Sequence, residues 1–230
     1  MQTLIHWRDF FKFLKKPDYL DKTEGIKNKF LLTFNTLLLK IIIFIPLIIL
    51  YALYYILAGD INEGMLENVE KLYHPIILYS LIAIFEEFAY RGFLTKFKPL
   101  LFSISITGII SYYYKKIIFS NMFFEYNGLI ETAILAIIVF TILYLLGKKY
   151  SYKLSEFWDN NFKSIVYVSA FLFAFMHFFN SVNLEIGNLK TIIFQFISGL
   201  LLSFVRIRSG IFYAILLHFT YDIFLTFFRN

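Results

Sequence analysis

The chain has 230 residues, of which 59% are hydrophobic, 21% aromatic and only 17% charged, and its formal net charge is +6. A water-soluble domain carries charged residues at about a quarter of its positions because its surface must be solvated, so this composition excludes an ordinary soluble domain. The absence of Cys excludes disulfides, thiolate zinc sites and cysteine nucleophiles, and no basic stripe outside the apolar runs indicates a nucleic-acid partner.

Residues 1–29 form the first predicted element, a cytoplasmic segment that precedes the apolar runs. Apolar and basic side chains recur there at helical spacing on opposite faces, which is typical of an amphipathic helix lying in the membrane interface. The apolar side chains are Leu4, Trp7, Phe11 and Leu14, and the basic ones are Arg8, Lys12 and Lys15. A secretory signal is not expected, because the first long apolar run begins only near Phe30.

Residues 30–230 form one predicted membrane domain, in which apolar runs of about 18 residues recur, each long enough to cross a bilayer. The runs are too long and too continuous for the strands of a barrel, so the predicted fold is all-α, a polytopic transmembrane helical bundle. Seven spans are predicted, at residues 30–58, 73–97, 99–119, 128–146, 162–180, 189–205 and 210–228.

The distribution of basic residues predicts the orientation of these spans. If the N-terminus is cytoplasmic, most of the 22 Lys and Arg residues fall on the cytoplasmic side, as the positive-inside rule requires. Seven spans then place the C-terminus outside. The chain is rich in Ile, Lys, Phe and Asn, which suits an AT-rich bacterial gene, so the predicted location is the bacterial plasma membrane.

The second predicted span contains two adjacent acids and an arginine, Glu86, Glu87 and Arg91. An ionisable group within a span costs about 2.5 to 3.5 kcal/mol, so such groups are few and usually functional. Glu87 and Arg91 are four residues apart, share a helix face and can form an ion pair. Glu86 points about 100° away from Glu87. It is the acid left over, which suits a general base or acid.

Histidines occur in two further spans. His177 lies among aromatic residues near the end of the fifth span, and His218 and Asp222 lie four residues apart on one face of the seventh. Spans can bury such groups only by turning them toward one another or toward a water-filled cavity. A lone buried His is more often a packing residue, and the acidic pair with Arg91 alone could be a structural clamp. Lys40, in the first span, is interpreted as structural or as snorkelling to the interface.

The three groups resemble the motifs of the CAAX protease and bacteriocin-processing family of intramembrane proteases, also called the type II CAAX prenyl endopeptidase or Abi family. The motifs are Glu-Glu-x-x-x-Arg at Glu86, Glu87 and Arg91, Phe-x-x-x-His at Phe173 and His177, and His-x-x-x-Asn or Asp at His218 and Asp222. They occur in the family's order, and the resemblance covers residues 73–228, the predicted protease-like core.

The resemblance implies an intramembrane endopeptidase that hydrolyses a peptide bond of a membrane-associated peptide or protein. Glu86, with His177, would activate a water for attack on the peptide carbonyl. Glu87 with Arg91 would hold the architecture of the site. The chemistry would be general-base hydrolysis without a covalent intermediate.

Two features depart from the usual pattern of the family. The resemblance implies that His218 and Asp222 line the position where the oxyanion forms, but many members have Asn at the second position. An ionised Asp cannot donate to an oxyanion, so Asp222 is expected to orient or charge His218, or to stay protonated. Many relatives also place the second motif closer to the first, so residues 99–146 would contain an inserted helical hairpin that alters substrate access.

No cofactor is expected, because the resemblance points to glutamate chemistry without an obligatory metal. Zinc is the alternative, with Glu86, His177, His218 and Asp222 as its ligands, although the His-Glu-x-x-His spacing of many metalloproteases is absent. The expected partners are the lipid bilayer and a peptide or protein substrate, with leader, pheromone and bacteriocin-like peptides among the candidates.

Two other classes of function stay open at this point. A non-proteolytic immunity or partner-binding membrane protein could keep the same residues for structure. A transporter or proton path could use them as a relay. The spans show no two-fold repeat, which argues against transport.

Overall fold

The protein is described by a computed structural model over residues 2–19, 23–58, 73–119, 128–178 and 187–229. Within these residues the chain forms eight helices and no strand, so the predicted all-α class is confirmed. The helices are α1 Gln2–Lys15, α2 Ile26–Ala58, α3 Tyr73–Arg91, α4 Pro99–Phe119, α5 Leu129–Lys149, α6 Ser151–Phe178, α7 Gly187–Ser209 and α8 Ile211–Arg229.

A helix lies at each of the predicted spans, and α1 lies within the predicted amphipathic segment. Two stretches among the described residues, helix α5 and the Thr191–Ser209 part of α7, are long and apolar enough to cross a bilayer by length and composition. The number of seven spans therefore stays a prediction.

Two predicted boundaries are wrong. Helix α3 ends at Arg91 rather than at residue 97, because the chain turns there, with the Leu94 amide donating to the Arg91 carbonyl at 3.1 Å. Helix α6 begins at Ser151 rather than at residue 162, because the polar residues 151–161 continue the same helix. The predicted span starts at residue 162 because residues 151–161 are polar, whereas these residues form the largely exposed beginning of the helix.

Helix α1 is attached to the bundle by aromatic side chains. Phe10 and Phe13 are buried, and the centroids of their rings lie 5.5 and 5.4 Å from that of Phe204 on α7. Leu4 and Phe11, which belong to the predicted interfacial face, are exposed on the protein surface. Trp7 and Leu14 of the same predicted face are partly buried against the core, so part of that face packs on the bundle together with Phe10 and Phe13. The position of the helix in the membrane interface stays a prediction.

Small residues allow close contacts between helices in the bundle. Gly199 of α7 lies against Ala170 of α6, where an added Cβ would come within 3.0 Å of the Ala170 Cα. Gly108 of α4 lies against Ala89 of α3, where a Cβ would meet the Ala89 Cβ at 3.2 Å. Such contacts are characteristic of helix pairs in membranes, where van der Waals packing replaces the hydrophobic effect.

The C-terminal end of α3 is held by two other helices. Arg206 of α7 donates from Nε to the Arg91 carbonyl at 2.9 Å and from Nη2 to the Gly92 carbonyl at 3.0 Å. Trp158 of α6 donates from Nε1 to the Thr95 carbonyl at 2.9 Å. These bonds satisfy carbonyls that the end of a helix leaves without a partner, so they fix the position of the helix that carries the acidic pair.

Helix α5 contacts mainly α4 and leaves most of its apolar side chains exposed, including Ile130, Ile137 and Leu145. An exposed surface of this composition is stable only in an apolar solvent. The helix therefore has the properties of a span that faces lipid.

Because the chain has no Cys, single cysteines report the sidedness of α5 directly. We expect Tyr152→Cys, just beyond the basic end of α5, to react with a membrane-impermeant maleimide only from the cytoplasmic side. Glu131→Cys, in the first turn of α5, should react only from the opposite side; both positions are exposed. Labelling of both from one side in sealed vesicles would contradict the predicted orientation.

Candidate active site

The buried ion pair of the site joins Glu87 and Arg91 on α3. Arg91 Nη1 donates to Glu87 Oε1 at 2.7 Å, and both side chains are completely buried. The pair has the four-residue spacing that the sequence predicts. His218 of α8 adds a second bond to the same carboxylate oxygen, with its Nδ1 2.9 Å from Glu87 Oε1. Because a carboxylate accepts, the Nδ1 atom carries the proton in this bond.

The other ring nitrogen of His218 lies between two further carboxylates. His218 Nε2 is 3.6 Å from Glu86 Oε2 and 3.4 Å from Asp222 Oδ2. Both separations are longer than an ordinary hydrogen bond, so Nε2 is less tightly engaged than Nδ1. One imidazole ring thus contacts Glu87 on one side and faces Glu86 and Asp222 on the other.

Phe173 of α6 connects the second motif to the other two. Its ring lies under the Arg91 guanidinium, with 3.9 Å between Cζ and the ring centroid, and it meets the His218 ring edge-on at 5.8 Å between centroids. The His177 ring lies 4.6 Å from the same ring. The aromatic residue of the motif is therefore the common neighbour of the arginine and of both histidines.

His177 is held in one tautomer by its own helix. Its Nδ1 bonds to the Phe173 carbonyl at 2.9 Å, and since a carbonyl only accepts, the proton is on Nδ1 and Nε2 keeps its lone pair. Among the described side chains no hydrogen bond or ion pair joins His177 to Glu86. The predicted pair is thus brought into one cluster through Phe173 and not through a direct bond.

The antiparallel arrangement of α3 and α6 explains this convergence. The Thr95 carbonyl, just after α3, accepts from Trp158 of α6. The Tyr90 carbonyl of α3 accepts from the Ser169 hydroxyl, which lies further along α6. Moving back along α3 therefore corresponds to moving forward along α6. The Glu86 end of α3 therefore lies toward the His177 end of α6.

The cluster is buried but not sealed. Glu86 is 7% exposed, and its Oε2 atom has no hydrogen-bond partner among the described residues. The side chain of Asp222 is 24% exposed, against 6% for that of His218. The accessible side of the site therefore lies at Asp222, next to the least engaged nitrogen of His218.

A protein-family model described as “Type II CAAX prenyl endopeptidase Rce1-like” matches residues 68–224, more than half of the chain. The chain belongs to the Rce1-like family. The family resemblance drawn from the three motifs is thereby confirmed, and the family is one of membrane-embedded proteases. No curated protein and no solved structure matches the chain significantly.

One residue outside the Rce1-like match reaches the site. Lys40 of α2 is only 1% exposed, and its Nζ lies 3.1 Å from the centroid of the Tyr221 ring on α8. The interpretation that it snorkels to the interface is wrong, because the ammonium is enclosed by the bundle. Its position inside an apolar span was a signal of function, but periodicity along one helix does not show which neighbour the side chain faces.

Zinc is the alternative for the same residues. Among the described residues, no group of three or more His, Asp and Glu side chains has an arrangement that could hold a metal ion. One nitrogen of His218 is bonded to Glu87, and His177 is bonded to its own helix. Chemistry without an obligatory metal stays a prediction.

The hairpin of α4 and α5 forms one wall of an apolar cavity beside the site. The cavity has a volume of about 480 Å³ and lies between α3, α4 and α5. Its lining includes Phe85, the residue before Glu86, as well as Thr107, Ala133 and Ala136. In this Rce1-like chain the residues predicted as an inserted hairpin thus enclose an apolar space that begins one residue from a site carboxylate.

The contacts predict opposite effects for the two adjacent acids. Glu87→Gln should destabilise the protein by about 3 to 5 kcal/mol, because it leaves the buried Arg91 guanidinium without its carboxylate. Glu86→Gln is the matched control and should unfold near the wild-type temperature, since Glu86 accepts no such bond. Thermal unfolding of the purified proteins in detergent measures both. Equal losses would contradict the structural assignment of Glu87.

Proposed function

We propose that the chain is an intramembrane endopeptidase that hydrolyses a peptide bond of a membrane-associated peptide or protein with a water activated by Glu86 and His177. Membership of a protease family supports the reaction class. The cluster of Glu86, His177, His218 and Asp222 supports the identity of the residues that carry it.

The observation that carries the proposal is that two adjacent carboxylates, Glu86 and Glu87, have different bonding partners and different exposure. Glu87 is occupied by Arg91 and His218 through bonds of 2.7 and 2.9 Å. Glu86 has an oxygen without a hydrogen-bond partner among the described residues, and the same oxygen faces His218. Glu87 Oε2 also has no hydrogen-bond partner among the described residues, but Glu87 is completely buried and ion-paired through Oε1, whereas Glu86 is 7% exposed. A general base needs a lone pair within reach of a water, and Glu86 is the acid of the two that meets this requirement.

The reaction proceeds by general-base hydrolysis. Glu86 accepts a proton from the water, whose oxygen attacks the peptide carbonyl carbon and forms a tetrahedral oxyanion. The lone pair of His177 Nε2 provides a second acceptor that orients the water. The proton then passes to the departing amine, the C–N bond breaks, and a carboxylic acid and an amine are released. Every proton and electron pair is accounted for without a covalent enzyme intermediate.

His218 supplies the charge stabilisation of the oxyanion. With Nδ1 donating to Glu87, the ring can donate from Nε2 as well when it is doubly protonated. The Asp222 carboxylate, 3.4 Å from Nε2, carries the opposite charge and stabilises the doubly protonated ring. A carboxylate cannot itself donate to an oxyanion, so Asp222 orients the histidine and His218 makes the contact.

The proposed setting is a seven-span protein of the bacterial plasma membrane with a cytoplasmic N-terminus. Lipid is then one partner, and the substrate is a membrane-associated peptide, with leader, pheromone and bacteriocin-like peptides as the candidate classes. A buried site whose partly exposed edge is Asp222 suits a segment that approaches from within or along the membrane.

We expect Glu86→Gln and His177→Ala to lower the rate of peptide cleavage by about 10²- to 10⁴-fold, the range of a lost general acid or base. The assay uses the full chain in lipid vesicles, a panel of membrane-associated peptides and mass spectrometry of the products. Glu131→Gln, an exposed acid on α5, is the matched control and should cleave at the wild-type rate.

The result has meaning only if the variants stay folded, so thermal unfolding is measured on the same preparations. Cleavage by Glu86→Gln at the wild-type rate would contradict the role of Glu86. If the wild type cleaves no peptide, and cells that express Glu86→Gln keep the biological activity of the protein, the proposal that the chain is a protease is contradicted.

Metal dependence is tested by chelation in the same assay. We expect full cleavage after incubation with a strong chelator and removal of the complex, because the proposed base is a carboxylate and the oxyanion contact is an imidazole. A loss of cleavage that added zinc restores would overturn the metal-free mechanism.

A further inference from the structure

Lys40 is a buried charged side chain near the site that the proposed mechanism leaves unused. It belongs to α2, which precedes the family match at residues 68–224, and it is 1% exposed. An ammonium group in the interior of a membrane protein is expensive unless nearby charges or rings compensate it. The surroundings of Lys40 therefore indicate what keeps it there.

Two aromatic rings cover the ammonium. Nζ lies 3.1 Å from the ring centroid of Tyr221 and 5.8 Å from that of Phe44, and the two rings pack edge to face with their centroids 6.0 Å apart. A cation over the face of an aromatic ring is attracted by its quadrupole, and the attraction is strongest when water is excluded. Tyr221 is adjacent to Asp222 in the chain, so the ammonium lies beside the turn of α8 that carries this carboxylate.

The charges around Lys40 are those of the site. Asp222 and Glu87 attract the Lys40 ammonium and Arg91 repels it. Asp222 faces His218 Nε2 at 3.4 Å, and Lys40 is a further cation that acts on the same carboxylate.

We infer that Lys40 is a positioning residue of the active site, which balances the charge of Asp222 and, through the Tyr221 ring, holds the turn of α8 that places Asp222 against His218. The inference rests on the proposed function for its catalytic consequence. Lys40 touches neither water nor substrate, because its ammonium is covered by the rings of the bundle.

This role predicts a specific kinetic pattern. Lys40→Met should lower kcat about 10- to 100-fold and leave KM nearly unchanged, because the residue acts on Asp222 and not on substrate binding. Lys40→Arg should retain most of the activity, since a guanidinium also stacks on aromatic rings. Lys115→Met is the matched control, a second fully buried lysine on α4, and should keep the wild-type kcat in the folded fraction.

The decisive experiment is a double-mutant cycle between Lys40 and Asp222. Because Lys40→Met removes a cation that acts on Asp222, adding Asp222→Asn should cause little further loss, and the double variant should equal or exceed Lys40→Met in kcat. Losses that multiply, or a Lys40→Met enzyme with wild-type kcat, would overturn the inference. So would an equal loss in Lys115→Met.

The same four proteins are compared by thermal unfolding, which does not depend on catalysis. If the wild type cleaves no peptide, the proposed function fails, while unfolding temperatures that are non-additive for the Lys40 and Asp222 changes still support their coupling. Additive unfolding temperatures together with multiplying kcat losses would reject the coupling and leave the protease assignment intact.

Discussion

The bundle around the site depends on one buried ion pair, Glu87 with Arg91. Removing both charges from water is costly, and contacts to the two groups offset part of the cost. Here such contacts come from different helices, because His218 of α8 bonds to the carboxylate and Phe173 of α6 lies under the guanidinium. Three helices are thereby fixed relative to one another by the requirements of one pair of charges.

The same constraint separates the roles of the two adjacent acids. Helical rotation puts Glu86 on a different face from Glu87, so the ion-paired carboxylate and the partly exposed one are neighbours in sequence but have different surroundings. The ring of His218 lies between them, bonded to Glu87 and facing Glu86.

Much of this could be predicted from the sequence, since helical period alone places Arg91 on Glu87 and Asp222 near His218. The cost of charge in a span identified the residues that had to converge. Contacts between helices could not be derived, because periodicity describes one helix at a time. For this reason the sequence did not reveal that Arg206 bonds to the end of α3 or which rings surround Lys40. The start of α6 was missed because its first residues are polar.

Charge balance links the helices that the motifs name to those they do not. The three motifs contribute three carboxylates, one arginine and two histidines, a set that stays acidic until both histidines are protonated. Buried charge is costly unless it is balanced, so cations on helices outside the motifs bear on the stability of the site. In the inferred arrangement Lys40 of α2 is such a cation, and Arg206 of α7 holds the end of the helix that carries the acids. The proposed reacting groups are thus those of the motifs, and residues outside the motifs position the helices that carry them.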